Sequence, residues 1–197
     1  MTEVPVPPLD EETLEMISKL TKLPQRKTIV VWGGDPGFVT VLARSAITSQ
    51  IKVVPLNEID AAAFSTNLKA SSDRIDILEA SITTTQISES SVDLIVLSYL
   101  LYRHFNPVKL LNEVIRLLSP SGLLLIVDYR AIPLREFVGL IRKKSNGEFP
   151  DGALEEYAIT NKYSTEDIGI LLDLKSFMIL KCIAWRERQL LLIAQHW

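Results

Sequence analysis

The chain has 197 residues, of which 47% are hydrophobic and 23% charged, and its formal net charge is −3 at pH 7. This length and composition are typical of one globular domain, here residues 1–197, with a substantial core. The slight negative charge gives no electrostatic reason to expect nucleic acid as the main partner.

Neither a secretory signal nor a membrane span is predicted. The first residues, MTEVPVPPLDEE, lack a basic segment followed by an apolar one. Apolar runs such as Leu123–Val127 are too short to cross a bilayer. The single cysteine cannot form an internal disulfide, which permits a reducing compartment. We therefore expect an intracellular, cytoplasmic protein.

Residues 1–24 are predicted to form an N-terminal arm and a helix. Three prolines within residues 1–9 indicate an extended arm, and Asp10 is a typical helix N-cap. The helix that follows has an apolar face of Leu14, Ile17 and Leu20 and ends at Pro24.

The stretch TIVVWGGDPGF is a strand, a glycine turn and the start of a helix. The strand is Thr28–Trp32, and the turn holds three of the chain's eight glycines, Gly33, Gly34 and Gly37. The helix covers residues 37–47. Asp35 is interpreted as its N-cap, with a cofactor contact as the alternative. Such a turn lets backbone N–H groups approach a ligand beside a helix N-terminus, as in nucleotide-binding α/β folds.

Strands and helices then alternate along the chain. Further strands are predicted at Ile51–Leu56, Ile75–Leu78, Val92–Ser98 and Leu123–Val127. Helices are predicted at residues 58–70 and 107–118, the second capped by Asn106. Its inner side is predicted to present Val108, Leu111, Val114, Ile115 and Leu118. Residues 119–122 (SPSG) are predicted to turn. The predicted core includes Val30, Leu94, Val96, Leu125 and Val127, because the central strands are apolar on both faces.

Residues 131–163 interrupt this alternation and are interpreted as a lid or a partner-binding insertion. They contain a basic helix at 133–144, a loop, and a short helix at 153–160. Ser164 or Thr165 then caps another helix, and Met178–Trp185 pairs with Gln189–Ala194 as an antiparallel hairpin. The sequence predicts an α/β fold: a doubly wound, mostly parallel seven-stranded sheet with helices on both faces and this closing hairpin.

From residue 10 onward the chain resembles class I S-adenosylmethionine-dependent methyltransferases. The segment SSVDLIVLSYLLYRHFNPVKLLNEVIRLLSPSGLLLIVDYR is similar to the family's fourth strand, helix, turn and fifth strand. The segments YSTEDIGILLDLKSF and RQLLLIAQHW resemble its last helix and closing hairpin.

The resemblance implies a cofactor site, but several polar positions differ from the family pattern. Val31 stands where the family has an acid, and Asp35 replaces the middle glycine of G-x-G-x-G. Asn57 replaces the acid that holds the ribose hydroxyls, and Ser81 the acid that holds the adenine amino group. Ser176 stands where the family usually has glycine. The positions that the resemblance assigns to the cofactor are Gly33, Gly34, Asp35, Gly37, Asn57, Glu58, Ser81 and Ser98.

Two functions follow from this resemblance. In the first, the cofactor chemistry is lost, there is no cofactor, and the chain is a binding or assembly module with a protein partner. In the second, it is an active methyltransferase that uses S-adenosylmethionine on a small molecule, by in-line displacement driven by proximity. Residues 98–104 and 128–163 would then form the substrate wall. Tyr102 and His104 are the catalytic candidates, although a structural role is favoured for each.

Other features favour ordinary structural roles. Arg142, Lys143 and Lys144, with Arg130 and Arg135 nearby, could meet an acidic substrate or partner but are more typical of a solvated helix face. Cys182 is predicted to be an inert buried thiol and His196 to be exposed. No zinc spacing, phosphate loop or G-x-S-x-G elbow is present in the sequence.

Overall fold

The computed structural model of the chain describes residues 11–34, 36–68, 73–78, 85–103 and 106–197. Asp10, Asp35, Ser81 and His104 lie outside these ranges, so the roles predicted for them stay predictions. The helices are α1 (Glu11–Thr21), α2 (Pro36–Ser45), α3 (Glu58–Leu68), α4 (Pro107–Leu117), α5 (Leu134–Lys144), α6 (Ala153–Thr160) and α7 (Thr165–Asp173). The strands are β1 (Thr28–Gly33), β2 (Gln50–Val54), β3 (Ile75–Ile77), β4 (Val92–Ser98), β5 (Leu118–Tyr129), β6 (Phe177–Trp185) and β7 (Gln189–His196).

The strands form one seven-stranded sheet in the order β3-β2-β1-β4-β5-β7-β6. Neighbouring strands from β3 to β5 are parallel, whereas β7 is antiparallel to both β5 and β6. This arrangement confirms the predicted fold class and its closing hairpin. The predicted core is also confirmed, since Val30, Leu94, Val96, Leu125 and Val127 are all fully buried.

The core has two parts, one on each face of the sheet. Successive side chains of a strand point to opposite faces, so Val31 and Val96 pack on one side and Val30 and Ile95 on the other. Both faces are covered, which is why the central strands are apolar throughout.

Local signals set the boundaries of two helices. The Asn106 side chain accepts a hydrogen bond from the Lys109 N–H at 3.0 Å, and Pro107 opens α4. At α7, Ser164 Oγ accepts from the Asp167 N–H, while the Asp167 carboxylate accepts from the Ser164 N–H. Both caps satisfy N–H groups that a helix start leaves without intrahelical partners.

The structure corrects the predicted inner face of α4. Its buried residues include Leu110, Leu111, Val114 and Leu117, whereas Val108 is 42% exposed and Ile115 is half-buried. Leu118 is buried, but as the first residue of β5. The predicted face was rotated by part of a turn because several apolar residues follow one another there.

Residues 119–122, predicted as a turn, lie within β5. Val92 pairs with Leu118 and Leu94 with Leu123, so β5 advances five residues while β4 advances two. The surplus residues form a bulge, in which a Cβ on Gly122 would lie 2.8 Å from the Val92 carbonyl oxygen.

Two predictions about the closing hairpin were wrong. Cys182 is exposed rather than buried, because β6 is the edge strand and is largely uncovered. His196 is half-buried rather than exposed, with its ring centroid 5.3 Å from that of Phe177.

No helix in the described part of the chain is long and apolar enough to cross a membrane.

Candidate functional site

The glycine turn brings the ends of β1 and β4 together. Gly33 and Gly34 have positive φ angles of 74° and 82°. A Cβ on Gly33 would lie 2.5 Å from the carbonyl oxygen of Ser98, the residue with which it pairs. Only glycine permits both this conformation and this approach. The turn therefore lies at the carboxyl edge of the sheet, where ligands bind in open α/β folds.

Ser98 ends β4 beside this turn. It is 1% exposed, and its hydroxyl is buried without a hydrogen-bond partner. A Cβ on Gly34 would lie 3.3 Å from this hydroxyl. Since a buried hydroxyl is normally hydrogen-bonded, Ser98 has unused bonding capacity next to the turn.

Asn57 and Val31 occupy two positions at which the resemblance implies a carboxylate, and each has a structural role in this chain. The Asn57 side-chain oxygen accepts a hydrogen bond from the Asp60 N–H at 2.8 Å, which caps α3. Val31 is fully buried in the core. Glu58 and Gly37 are the first residue of α3 and the second residue of α2, respectively.

Tyr102 belongs to a tyrosine cluster, formed by Tyr99, Tyr102 and Tyr129. The Tyr129 ring centroid lies 5.2 Å from those of both Tyr99 and Tyr102. Tyr102 is 2% exposed, and its hydroxyl accepts a hydrogen bond from Arg103 Nε at 2.6 Å. Burial raises the pKa of Tyr99 and of Tyr129, so both remain protonated at neutral pH. The cluster forms an aromatic wall at the ends of β4 and β5.

Asp128 is a buried carboxylate that the sequence analysis missed. It accepts hydrogen bonds from the N–H groups of Leu101 and Tyr129, each at 2.7 Å. Burial raises its pKa to about 7, although backbone N–H groups oppose that rise. Its sequence signal is an acid directly after the apolar run LLLIV. The contacts fasten the segment after β4 to the end of β5.

Arg188 attaches α5 and α6 to the sheet. Its guanidinium lies 4.6 Å from the Phe137 ring centroid and 5.5 Å from that of Tyr129. It also donates to Glu156 Oε1 at 3.1 Å and Thr160 Oγ1 at 2.5 Å. The sequence marked Arg188 only as part of a charged turn, because its burial depends on helices distant in the chain.

A family model described as a methyltransferase domain matches residues 33–126, from the glycine turn into β5. The chain has the class I methyltransferase fold. This methyltransferase-like chain shares its fold with solved structures at low sequence identity. One is an S-adenosylmethionine-dependent methyltransferase from Aquifex aeolicus, 16% identical with a TM-score of 0.73, covering 94% of this chain and 93% of that one.

Two further structures have the same fold. A methyltransferase from Mesorhizobium loti is 15% identical, with a TM-score of 0.69 and coverage of 94% of this chain and 97% of that one. Geranyl diphosphate C-methyltransferase from Streptomyces coelicolor, in complex with Mg²⁺, geranyl-S-thiolodiphosphate and S-adenosylhomocysteine, is 12% identical to this chain. Its TM-score is 0.67, and the match covers 94% of this chain and 76% of that one. No curated protein matches the sequence.

The described residues of the methyltransferase-like chain fit S-adenosylmethionine only in part. The backbone of Gly33 and Gly34 and the unpartnered Ser98 hydroxyl suit a ligand at the sheet edge. Asn57 and Val31, in contrast, supply no carboxylate. Among the described residues there is also no group of three or more His, Cys, Asp or Glu side chains that could bind a metal ion.

Proposed function

We propose that this chain is a non-catalytic binding or assembly module built on a methyltransferase fold, with a degenerate S-adenosylmethionine site. The observation that supports this most directly is Asn57, whose side-chain oxygen caps α3. An amide has no charge and only one acceptor atom, whereas a carboxylate can accept from both ribose hydroxyls. The Asn57 side chain therefore caps α3 rather than binding a ligand.

The expected loss of affinity is large. A hydrogen bond to a charged group is worth roughly 1.5–3 kcal/mol. Without carboxylates at positions 31 and 57, two such bonds are lost, so cofactor binding weakens by roughly two to four orders of magnitude. A micromolar site becomes millimolar or weaker.

An exposed apolar surface supports the binding role. Met178, Ile179 and Leu180 are 52%, 39% and 46% exposed on the edge strand β6. Ile170 on α7 is 59% exposed, and Leu174 at the C-cap of that helix is 73% exposed. Contiguous exposed apolar side chains are typical of interaction surfaces. Residues 131–163 offer a second place for a partner, or a lid over a ligand.

The alternative is an active methyltransferase with a small-molecule substrate. The glycine turn is retained, and Ser98 lies beside it. A turn of this kind requires glycine only where another backbone segment or a ligand approaches closely. Its retention therefore favours this candidate. Tyr102 and His104 would then line the substrate pocket.

Titration with S-adenosylmethionine and S-adenosylhomocysteine, followed by calorimetry and thermal shift, tests the proposal. A ligand that binds only the native state raises its stability. We expect no binding at about 1 mM for a site that has lost two charged contacts. Micromolar binding by the unmodified chain would contradict the proposal and favour the methyltransferase.

A matched pair of variants tests the role of Asn57. Asn57→Asp preserves the helix cap, since Asp and Asn cap equally well, and restores the carboxylate. We expect it to increase cofactor affinity by tenfold or more, about the value of one charged hydrogen bond. Asn112→Asp makes the same charge change on α4, where Asn112 accepts from Lys175, and should leave cofactor affinity unchanged.

A further inference from the structure

A cavity of about 610 Å³ lies where α5 and α6 meet the ends of β5 and β7. Tyr129, Leu140 and Ile141 form its apolar side, and the turn between β6 and β7 closes the other side. This volume is within the range of small-molecule sites, which combine apolar walls with a few polar groups. Gly33, Gly34 and Asn57 do not line this cavity.

The polar lining has a net positive charge. It contains the cations Lys144, Arg186 and Arg188 and the carboxylates Glu156 and Glu187, for a formal balance of +1. This balance suits one negative charge on a ligand. A dianionic phosphate ester suits it less, because its second charge would lie near two carboxylates.

The cations differ in how firmly they are held. Lys144 contacts Glu187 at 2.7 Å, but their side chains are 66% and 38% exposed. Such an exposed ion pair is weak and readily exchanged. A ligand carboxylate can therefore replace Glu187 on Lys144 at little cost.

Arg188 is the fixed part of the site. Its side chain is 10% exposed, and the rings of Phe137 and Tyr129 hold its guanidinium. Its Nε and the neighbouring Gln189 Oε1 are buried without hydrogen-bond partners. Buried polar atoms without partners destabilise a protein. A ligand carboxylate that draws the Arg188 side chain toward the cavity would supply an acceptor for Nε.

We infer that this cavity binds a small organic monocarboxylate with an apolar body, its carboxylate at Lys144 and Arg188 and its body against Tyr129, Leu140 and Ile141. The inference does not depend on S-adenosylmethionine. It assigns residues 131–163 to the wall of a ligand site.

Phenylacetate is a suitable probe, with phenylacetamide as its neutral isostere and phenethylamine as its cationic counterpart. Each is titrated into the full chain without cofactor, by calorimetry and by the methyl NMR signals of Leu140 and Ile141. We expect phenylacetate to bind at least fivefold more tightly than the other two and to shift both methyl signals. Equal binding of phenylacetate and phenylacetamide, or no binding of phenylacetate, would overturn the inference.

Three variants test the contacts without disturbing the buried Arg188. Lys144→Met should weaken phenylacetate binding about fivefold, whereas Lys143→Met, an exposed neighbour outside the lining, should leave it unchanged. Glu187→Gln releases Lys144 and should strengthen binding. Equal effects of the two lysine variants, or weaker binding by Glu187→Gln, would overturn the assignment. Because no cofactor is present, these results are independent of the cofactor titration.

Discussion

The carboxylate of Asp128 accepts a hydrogen bond from the backbone N–H of Leu101, with 2.7 Å between Oδ2 and N. Its other oxygen accepts from the Tyr129 N–H at the same distance. One buried side chain thus holds the segment after β4 against the end of β5. The same burial raises the pKa of Asp128 to about 7, which makes the stability of the fold sensitive to pH.

The sign of this dependence follows from linkage. An unfolded aspartate has a pKa of about 3.9, so between about pH 4 and pH 7 the native state holds a proton that the unfolded state has lost. The free energy of unfolding should therefore fall as the pH rises through this range. Urea unfolding between pH 5 and pH 8 measures it.

Asp128→Asn removes the titrating group, and its pH slope between 5 and 7 should be shallower than that of the unmodified chain. Asp151→Asn changes an exposed aspartate and should preserve the slope. The same slope in Asp128→Asn and the unmodified chain would disprove the assignment to Asp128.

Glu113 should stabilise the loop that leads into β4. Its carboxylate accepts from the Thr85 N–H and hydroxyl at 2.9 and 2.8 Å and contacts Arg116 at 2.7 Å. Arg116 is the main cause that lowers the pKa of Glu113 to about 2. Glu113→Gln should cost roughly 1.5–3 kcal/mol of unfolding free energy, the value of a charged hydrogen bond.

The contribution of Glu113 is present above its unfolded pKa and is lost as the pH falls from about 4.5 toward 2. Urea unfolding at pH 7 and pH 3 should therefore give a smaller difference between Glu113→Gln and the unmodified chain at the lower pH. Glu155→Gln changes an exposed glutamate and serves as the control. A difference that does not decrease with acid would rule out the ionic role.

Gly33→Ala should strongly destabilise the chain. The new Cβ would lie 2.5 Å from the Ser98 carbonyl oxygen, at a backbone φ of 74°. We expect a loss of at least 1–3 kcal/mol, the typical cost of a strained backbone position. Gly139→Ala is the matched control because its Cβ meets nothing within 4 Å in α5. It should stabilise by roughly 0.5–1 kcal/mol through helix propensity. Similar unfolding midpoints for the two variants would contradict this account.

Ser176→Gly should stabilise the chain by roughly 0.5–1 kcal/mol, since glycine adopts the left-handed conformation without the penalty of a Cβ. Ser176 has a φ of 58°, and its carbonyl oxygen accepts from the Trp197 N–H. The class I methyltransferases usually have glycine at this position. Ser65→Gly, inside α3, should destabilise instead, and thermal unfolding of both variants distinguishes the two effects. A lower melting temperature for Ser176→Gly would contradict this prediction. It would show that the added backbone entropy of glycine in the unfolded chain outweighs the removal of the Cβ penalty.

Local signals in the sequence were sufficient for much of the fold. Val92–Ser98 was predicted with its observed bounds because an apolar run between polar residues defines a buried strand. The Asn106 cap was also identified correctly, and Ser164 was one of the two cap residues predicted for α7, since capping depends on residues within one turn of helix. The glycine turn was also predicted at its observed position, because the conformations of Gly33 and Gly34 depend on residue type.

The tertiary structure decided what depends on distant parts of the chain. Cys182 is exposed because β6 is the edge strand of the described sheet and its faces are largely uncovered, and sheet order is not a local property. The bulge in β5 arises from pairing with Val92. Asp128 and Arg188 are buried only because other segments pack over them.

The sequence by itself determined the fold class and most element positions, through periodicity and capping. The packing of separate elements determined which polar side chains meet, because burial and hydrogen bonding between distant segments exist only after the chain has folded.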